Sequence, residues 1–388
     1  MSNPYSYNDN PMQTGSVNDT DLLDESLMYC KYELQNPSNP PILFEQRTSD
    51  YTAEEANLGK CWVRTDTIPT EYKTVQKTNS QFTWQTDATK INSAFCSAGA
   101  GTQSACLSVA GDTSSDYSSY TVKCEEYNGT SWSSIPDCNN SSPSWDDYSI
   151  LSGANGPAGF GTSTDCTVTG DDNNIVFQYG ATIYYDGTSW NSKEATSGEV
   201  LYLEYGSGCG NTGDYGLVTK GTSLYSYNGT NSFEDKWGFE DSFAGSDSSN
   251  EVSLCGDPDD ALITGGRYSD NITRNYIYTW NGTTTTDEGD LATPRAGISS
   301  SGNSSSAHIF GGYTADHSSF YSICEEWTGT SITSHSNLLV AKGGTLSATN
   351  GSNFLVHGGL SSSNVLNTTE IYGLSEEYGV KEFDLELP

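Results

Sequence analysis

Histidine and cysteine are the side chains of this sequence that could bind a transition metal. The chain has 4 histidines and 10 cysteines. No Cys-x-x-Cys pair occurs, and the histidines show none of the spacings typical of zinc or copper sites. His308 and His357 lie on strands of successive repeats, where the two-residue period of a strand predicts that both face the same side of their repeat. We therefore expect hydrogen-bonded core histidines, with no bound metal or other cofactor.

Acidic residues are abundant enough to raise the question of hydrolysis or cation binding. A glycosidase needs two carboxylates ~5–10 Å apart in a cleft, but 50 acidic residues offer pairs throughout the chain, so the pattern has no specificity. The segments 257–260 (Asp-Pro-Asp-Asp) and 171–174 (Asp-Asp-Asn-Asn) could bind Ca²⁺ through carboxylate and carbonyl oxygens. Neither has the spacing of a dedicated calcium loop. We favour solvated turns there, and no enzymatic activity.

Charge and composition narrow the range of partners. The 388 residues include 16 Lys and Arg against 50 Asp and Glu, a net charge of −34. Such a charge repels nucleic acid and anionic lipid surfaces. No secretory signal or long apolar span is visible, so we expect no membrane insertion and synthesis in the cytoplasm. Hydrophobic residues make up only 34%, beside 40 Gly and 12% aromatics, a composition that predicts strands and turns.

The cysteines are spread singly along the chain rather than in pairs. Cys124 and Cys324 occupy matching places in two similar segments, Cys-Glu-Glu-Tyr-Asn-Gly-Thr and Cys-Glu-Glu-Trp-Thr-Gly-Thr, so neither is the partner of the other. Free buried cysteine is an ordinary small core residue in a reducing compartment. We expect most of the ten to be buried thiols, with disulfides as the alternative.

A turn motif repeats along the chain. It consists of an aromatic residue, a turn residue, glycine and threonine, with glycines at 129, 187, 229, 282 and 329 and steps of 58, 42, 53 and 47 residues. These steps fit a four-stranded unit of ~40–50 residues with loop insertions. The Asn-Gly and Asp-Gly pairs predict tight type I′ hairpins.

A glycine pair, or Gly-Asp, precedes most of these turns. The last residue of each pair lies at position 112, 171, 266, 312 or 359, and the next aromatic follows 13 to 15 residues later. In the third unit a Lys220-Gly221 turn shortens the hairpin. A short apolar strand that ends in glycine and returns as an alternating strand indicates a β-unit. Six such units end near 135, 190, 233, 283, 332 and 374.

Units of this kind cannot bury both faces alone, and radial closure removes their open edges. We therefore predict an all-β fold, a β-propeller. Residues 61–65, 71–75 and 82–85 read as three further strands, which predict a seventh, composite blade completed by residues 380–386. We favour seven blades, with six as the alternative. The predicted domains are an extended N-terminal docking arm over 1–57 and the propeller over 58–388.

The glycine pair followed some 14 residues later by Tyr or Trp resembles a kelch repeat. Residues 98–111 and 124–132 resemble more narrowly the degenerate kelch-like propellers of bacteriophage virion proteins. This resemblance implies a noncatalytic virion structural protein on tail or capsid, assembled in the host cytoplasm and released by lysis. It also implies attachment to other virion proteins through residues 1–57, membership of a symmetric assembly, and host adsorption through a surface glycan. The alternatives are a free carbohydrate-binding propeller and a degenerate kelch-type copper oxidase.

Exposed aromatics in long loops are the candidate binding residues, because long loops on a rigid scaffold tend to carry recognition. The insertion 136–160 contains Trp145 and Tyr148, and the insertion 234–253 contains Trp237 and Phe239. Such rings could stack on sugars. The alternative is that each ring packs against its own loop.

Overall fold

The computed structural model describes residues 45–47, 49–53, 61–64, 71–115, 119–138, 157–171, 180–192, 206–220, 223–229, 233–238, 251–267, 272–350, 353–362 and 364–383. Every helix or strand assigned within these residues is a β-strand, as predicted. No helix in this part of the chain has the length and hydrophobicity needed to span a bilayer. The residues fall into two compact units, one within 1–83 and 374–388, the other within 84–373.

The second unit is a six-bladed β-propeller, in which each blade is an antiparallel sheet. The first blade consists of β4 (Ala98–Thr102), β5 (Ala105–Asp112), β6 (Tyr120–Tyr127) and β7 (Trp132–Ile135). The second consists of β8 (Ala158–Thr162), β9 (Asp165–Asp171), β10 (Gly180–Tyr185) and β11 (Trp190–Ser192). The third consists of β12 (Gly208–Thr212), β13 (Tyr215–Lys220), β14 (Ser223–Tyr227) and β15 (Phe233–Gly238).

The remaining blades follow the same order along the chain. The fourth consists of β16 (Ser253–Asp257), β17 (Asp260–Thr264), β18 (Tyr276–Trp280) and β19 (Thr285–Asp290). The fifth consists of β20 (Ser299–Asn303), β21 (Ser306–Phe310), β22 (Cys324–Trp327) and β23 (Ile332–His335). The sixth contains β24 (Leu346–Asn350), β25 (Asn353–His357) and β28 (Thr369–Phe383), with a small hairpin of β26 (Leu360–Ser361) and β27 (Asn364–Val365) before β28.

The predicted seventh blade is wrong, because the N-terminal strand completes the sixth blade instead. The sheet runs in the order β1-β2-β3-β28-β25-β24, where β1 is Glu45–Arg47, β2 is Cys61–Arg64 and β3 is Glu71–Asp87. The sixth unit has no fourth strand of its own, and β3 supplies it. Both ends of the chain therefore close one blade, as predicted, but with six blades and not seven.

Tryptophan side chains show that β3 takes the place of an ordinary fourth strand. Trp132 on β7 donates its indole N–H to Thr369 Oγ1 of the preceding blade at 2.9 Å, and Trp190 on β11 donates to the carbonyl of Pro136 at 2.9 Å. Trp84 on β3 donates in the same way to the carbonyl of Ser336, after the fifth blade, at 2.7 Å.

Apolar packing closes the ring. Six clusters of buried side chains occur in the described residues, one between each pair of neighbouring blades. The cluster between the sixth and first blades joins Leu355 to Tyr127 and Trp132. Burial of both faces of every blade accounts for the stability of units that would be too thin alone.

The hairpins at the repeated turn motif are not type I′ turns. Tyr127 pairs with Trp132 across a four-residue loop, in which Asn128 Oδ1 accepts hydrogen bonds from the N–H groups of Thr130 and Ser131, both at 3.0 Å. Only Gly129 has positive φ, at 91°. A type I′ turn needs positive φ at two residues, whereas this Asx turn uses the side-chain oxygen in place of a backbone carbonyl.

A glutamate on the third strand holds the connection that leads into its own blade. Glu125 accepts hydrogen bonds from the N–H groups of Ile91 and Asn92 at 3.3 and 2.6 Å. Glu325 does the same for Ala292 at 2.9 Å, and Glu370 for Leu339 at 2.7 Å. These carboxylates thus tie the connections to the third strands of their blades.

The first unit contains β1 and β2, which are parallel to each other. Asp50 accepts hydrogen bonds from Trp62 Nε1 and Lys73 Nζ, each at 3.4 Å. The guanidinium of Arg47 lies 3.9 Å from the ring centroid of Tyr51. Residues 45–47 of the predicted arm therefore belong to this small sheet, and Asp50 contacts it. Residues 1–44, 48 and 54–60 lie outside the described residues, so the predicted boundary at 57 stays a prediction.

Candidate functional site

The two ends of the propeller differ in the lengths of their connections. We call the end where the six inner strands begin the entry face, and the other end the far face. Because each blade is an up-and-down meander, the second-to-third strand hairpins and the connections between blades lie at the entry face. In the first five blades, the far face carries short turns after the first and third strands. Within these blades the connections that vary most in length lie at the entry face.

The inner strands surround an axial channel with a cavity of about 240 Å³. Glycines allow three of these strands to approach closely. A Cβ at Gly159 would lie 2.9 Å from the carbonyl oxygen of Gly99, and a Cβ at Gly208 would lie 2.7 Å from that of Gly159. No side chain fits at these distances, so the first three blades meet through bare backbone near the axis.

Hydroxyl groups line the other half of the channel and bridge neighbouring blades. The Ser253 and Ser300 hydroxyls lie 2.7 Å apart, and those of Ser299 and Thr345 lie 2.8 Å apart. Ser347 donates to the carbonyl of Ser300 at 2.9 Å. These contacts make the channel wall polar without making it charged.

Charged side chains gather at the entry-face mouth of the channel. Glu251 lies just before β16 and Arg267 just after β17, with Arg267 Nη2 2.9 Å from Glu251 Oε1. This contact is close but poorly aligned as a hydrogen bond, and the other terminal nitrogen of Arg267 donates to the carbonyl of Ala315 at 3.0 Å. Burial raises the pKa of Glu251 to about 7, although Arg267 and the Tyr313 hydroxyl act in the opposite direction.

Asp112 is a second buried acid close to the same mouth. It ends β5, and its backbone pairs with that of Phe95 through two hydrogen bonds of 3.0 and 2.9 Å. Its side chain is fully buried, and within the described residues neither carboxyl oxygen has a hydrogen-bond partner. Burial raises the pKa of Asp112 to about 7. The Ser97 hydroxyl, which lines the channel, is likewise buried without a partner.

Strained backbone coincides with this mouth. Cys96 and Glu251 both line the cavity and have φ of 48° and 40°, a region that non-glycine residues seldom adopt. His317, whose ring contacts that of Tyr313 at 4.4 Å, has φ of 54°. Burial raises the pKa of the Cys96 thiol, and the nearby Asp112 and Glu251 raise it further. Strain of this kind is often retained where it positions a binding group.

The mouth is therefore suited to a small polar ligand. Its hydroxyl and carboxyl groups can accept and donate hydrogen bonds, and its two acids disfavour an anion. Within the described ranges, no three His, Cys, Asp or Glu side chains are grouped as metal ligands. The geometry supports binding of a neutral or cationic molecule that carries hydroxyl or amine groups.

The predicted binding aromatics are not brought together by the described structure. Trp145, Tyr148 and Phe239 lie outside the described residues. Trp237 lies on strand β15 opposite Leu224, not in a loop. The predicted insertions were too long, because residues 158–160 belong to β8 and residues 234–238 to β15. The residues that flank the shorter loops nevertheless lie at the entry face.

The histidines serve packing between blades. His357 is buried, with its ring 4.7 Å from that of Trp132 in the first blade. His308 lies 4.1 Å from the Phe354 ring of the sixth blade. Both therefore lie on the same side of their blades, as predicted. The expected hydrogen bond is not made by Nδ1 of His357, which has no partner in the described structure. The two histidines lie in different interfaces and do not form one site.

Sequence reasoning missed Glu251, Arg267 and Tyr313 as a group. Arg267 and Tyr313 each follow a glycine pair, 265–266 and 311–312, which ends a second strand at the entry face. The position directly after a glycine pair could therefore have predicted that Arg267 and Tyr313 lie at the entry face. Glu251 lies two residues before β16, and the pairing of β16 with β17 brings it to Arg267 within one blade.

Comparison with known proteins supports the fold alone. No protein-family model matches the chain, and no curated protein matches it. Among solved structures, the chain is similar to a propeller-type structure titled "Structure of YjhT", with a TM-score of 0.55 and 10% identity. The match covers 73% of this chain and 95% of that one. The chain is an all-β, six-bladed propeller.

Proposed function

We propose that the chain is a noncatalytic structural protein of a bacteriophage particle, a kelch-like propeller displayed outward that binds through its entry face. The observation that carries the proposal is the difference between the two faces. In the first five blades, the connections that vary in length leave the entry face, and the far face has short turns. A rigid ring with one variable face is the arrangement expected of a display and recognition module.

Charge and thiol chemistry agree with this setting. A net charge of −34 keeps the protein apart from nucleic acid and favours solubility outside the cell. The eight cysteines whose side chains are described are free, and the predicted burial is confirmed for seven of them. A chain folded in a reducing cytoplasm and released by lysis has no need of disulfides to fold.

Attachment to the particle is assigned to residues 1–57, in contact with other virion proteins of a symmetric assembly. The unit that contains β1 and β2 supports this assignment, because it is compact in its own contacts.

Loop replacement tests the recognition role. Residues 140–155 and 240–249 are replaced by short Gly-Ser linkers, which leaves β8, β15 and Glu251 intact. We expect adsorption to the host to fall by roughly tenfold or more, equivalent to about 1.4 kcal/mol. The matched control is Thr330→Lys, at an exposed position on the far face. Equal adsorption by the loop and control variants would remove recognition from the proposal.

A second candidate, a free carbohydrate-binding propeller, is favoured by the unpartnered polar groups at the channel mouth. Ser97→Ala and Asp112→Asn alter those groups and leave the loops unchanged. Wild-type protein is tested for binding on a glycan array. If these variants abolish the binding and loop replacement leaves it intact, the second candidate is favoured over the first.

A further inference from the structure

Two thiols meet at the outer part of the first blade. Cys124 lies on β6, and Cys138 follows β7 by three residues. Their sulfur atoms both donate to the carbonyl oxygen of Val122, at 3.5 and 3.2 Å, and both side chains belong to the same apolar cluster. Both side chains are buried. The two sulfurs therefore share one small space.

The fifth blade contains the same arrangement with one thiol. Cys324 donates to the carbonyl of Ser322 at 3.7 Å, and the Leu338 N–H donates to that carbonyl at 2.9 Å. In the first blade the Cys138 N–H donates to Val122 in the same way, at 3.1 Å. Leu338 thus stands where Cys138 stands. The fold accepts a leucine there, so the second thiol is not required for packing.

We propose that Cys124 and Cys138 are a redox pair that closes into a disulfide when the protein meets a small disulfide such as oxidised glutathione. The inference rests on these contacts and is independent of the proposed function. The deprotonated Cys138 sulfur attacks one glutathione sulfur, which breaks the glutathione S–S bond and releases one glutathione thiolate. Cys124 then loses its proton and attacks the Cys138 sulfur, which releases the second. The protein loses two electrons and two protons, and oxidised glutathione becomes two thiols.

Cys138 is the first to react because it lies outside the strands, where local opening is easier. Burial raises the pKa of Cys124, so its thiolate forms only once the first bond has brought the reacting sulfur against it. The reduced pair is consequently stable in a reducing cytoplasm and slow to oxidise.

The bond would enclose β7 in a short covalent loop. β7 carries Trp132, whose indole N–H donates to Thr369 in the sixth blade. Fixing β7 therefore fixes the contact between the first and last blades, where the ring closes. We expect the oxidised protein to unfold several degrees above the reduced protein.

The test uses the full chain, refolded from urea in a glutathione buffer so that burial cannot prevent access. After alkylation of the remaining thiols, the chain is cleaved on the carboxyl side of glutamate, which separates the two cysteines at Glu125 and Glu126. We expect the loss of two hydrogen atoms per chain and a peptide pair linked through Cys124 and Cys138. Cys138→Leu, which copies the fifth blade, should fold, lose the link and lose the difference in unfolding temperature. Leu338→Cys should gain a link to Cys324.

Two outcomes would overturn the inference. One is that, after refolding in the glutathione buffer and renewed denaturation, both Cys124 and Cys138 of the wild-type protein are alkylated. The other is glutathione held on Cys138 as a lasting mixed disulfide, which would show that Cys124 cannot reach it.

Discussion

Arg295 and Glu325 form an ion pair that is almost completely removed from water. Arg295 Nη1 lies 2.6 Å from Glu325 Oε2, and the two side chains are 0% and 3% exposed. The pair fixes the connection that leads into the fifth blade, and Lys342 with Glu370 does the same for the sixth at 2.9 Å. Loss of one partner leaves a buried charge without compensation.

Glu325→Gln should therefore lower the free energy of unfolding by about 3–5 kcal/mol, because the Arg295 charge would remain buried. The control is Glu326→Gln on the same strand, where the side chain is only half-buried and a change within about 0.5 kcal/mol is expected. Urea unfolding followed by tryptophan fluorescence measures both. Similar small effects from both variants would show that the pair does not hold the connection.

Trp84 tests the closure of the sixth blade by the N-terminal strand. Its ring packs on Phe310 and Tyr372 at centroid distances of 5.6 and 5.4 Å. Trp84→Ala should cost about 3–5 kcal/mol of stability. Phe82→Ala on the same strand, 45% exposed, is the control and should change little. A propeller unaffected by Trp84→Ala would contradict closure through β3.

Gly159 tests the close approach of strands at the channel. In Gly159→Ala the new methyl group would meet the Gly99 backbone at 2.9 Å, so the first two blades must separate. We expect a loss of about 1–3 kcal/mol. Gly373→Ala is the control, because its nearest neighbour would be the Asn353 side chain at 3.7 Å. Thermal unfolding compares the two, and equal midpoints would contradict the packing.

Asp112 makes stability depend on pH. Its pKa in the folded protein is about 7 against 3.8 ordinarily, so the folded state holds the proton more tightly. Stability should therefore fall as pH rises from about 4 to 7. Asp112→Asn should remove this part of the decline and stabilise the protein at pH 8, by up to about 4 kcal/mol, but not at low pH. In this variant Glu251, whose pKa is also raised to about 7, should still make the stability fall as the pH rises.

Asp316 should make the stability of the protein depend on pH in the opposite direction. Hydrogen bonds from Thr314 and Ser318 lower the pKa of this exposed acid to about 2. Its contribution to stability is present above pH 4 and disappears as pH falls toward 2, so Asp316→Asn should weaken the protein at neutral pH. Unfolding curves at pH 5 and pH 8 separate the two variants. If Asp112→Asn stabilised the protein equally at both pH values, ionisation of the buried Asp112 carboxyl would not be what lowers the stability.

Sequence alone predicts the repeating part of the fold because every unit carries local signals. A strand that ends in Gly265-Gly266 and a third strand that ends at Trp280 can each be recognised without knowledge of neighbours. Blade number is different. Gln81 to Asp87 carry no turn signal that assigns them to the last unit, and only hydrogen bonding with β28 does so. Turn type was also missed, since Asn128 acts through its side chain.

The channel mouth could be predicted only in part, because its residues come from separate blades. Glu251 and Arg267 flank strands that pair within the fourth blade, whereas Cys96 precedes the first blade. The proximity of Cys96 to Glu251 depends on the closure of the ring, which no local pattern specifies. The raised pKa values of Glu251 and Asp112 follow from that burial and are equally invisible in the sequence.

Cryo-electron microscopy of intact phage particles that carry this chain tests the central proposal most directly. We expect a six-bladed ring on the outer surface, with the entry face turned to solvent and residues 1–57 against neighbouring virion proteins. Particles that lack the protein, or that hold its entry face against the particle, would contradict it.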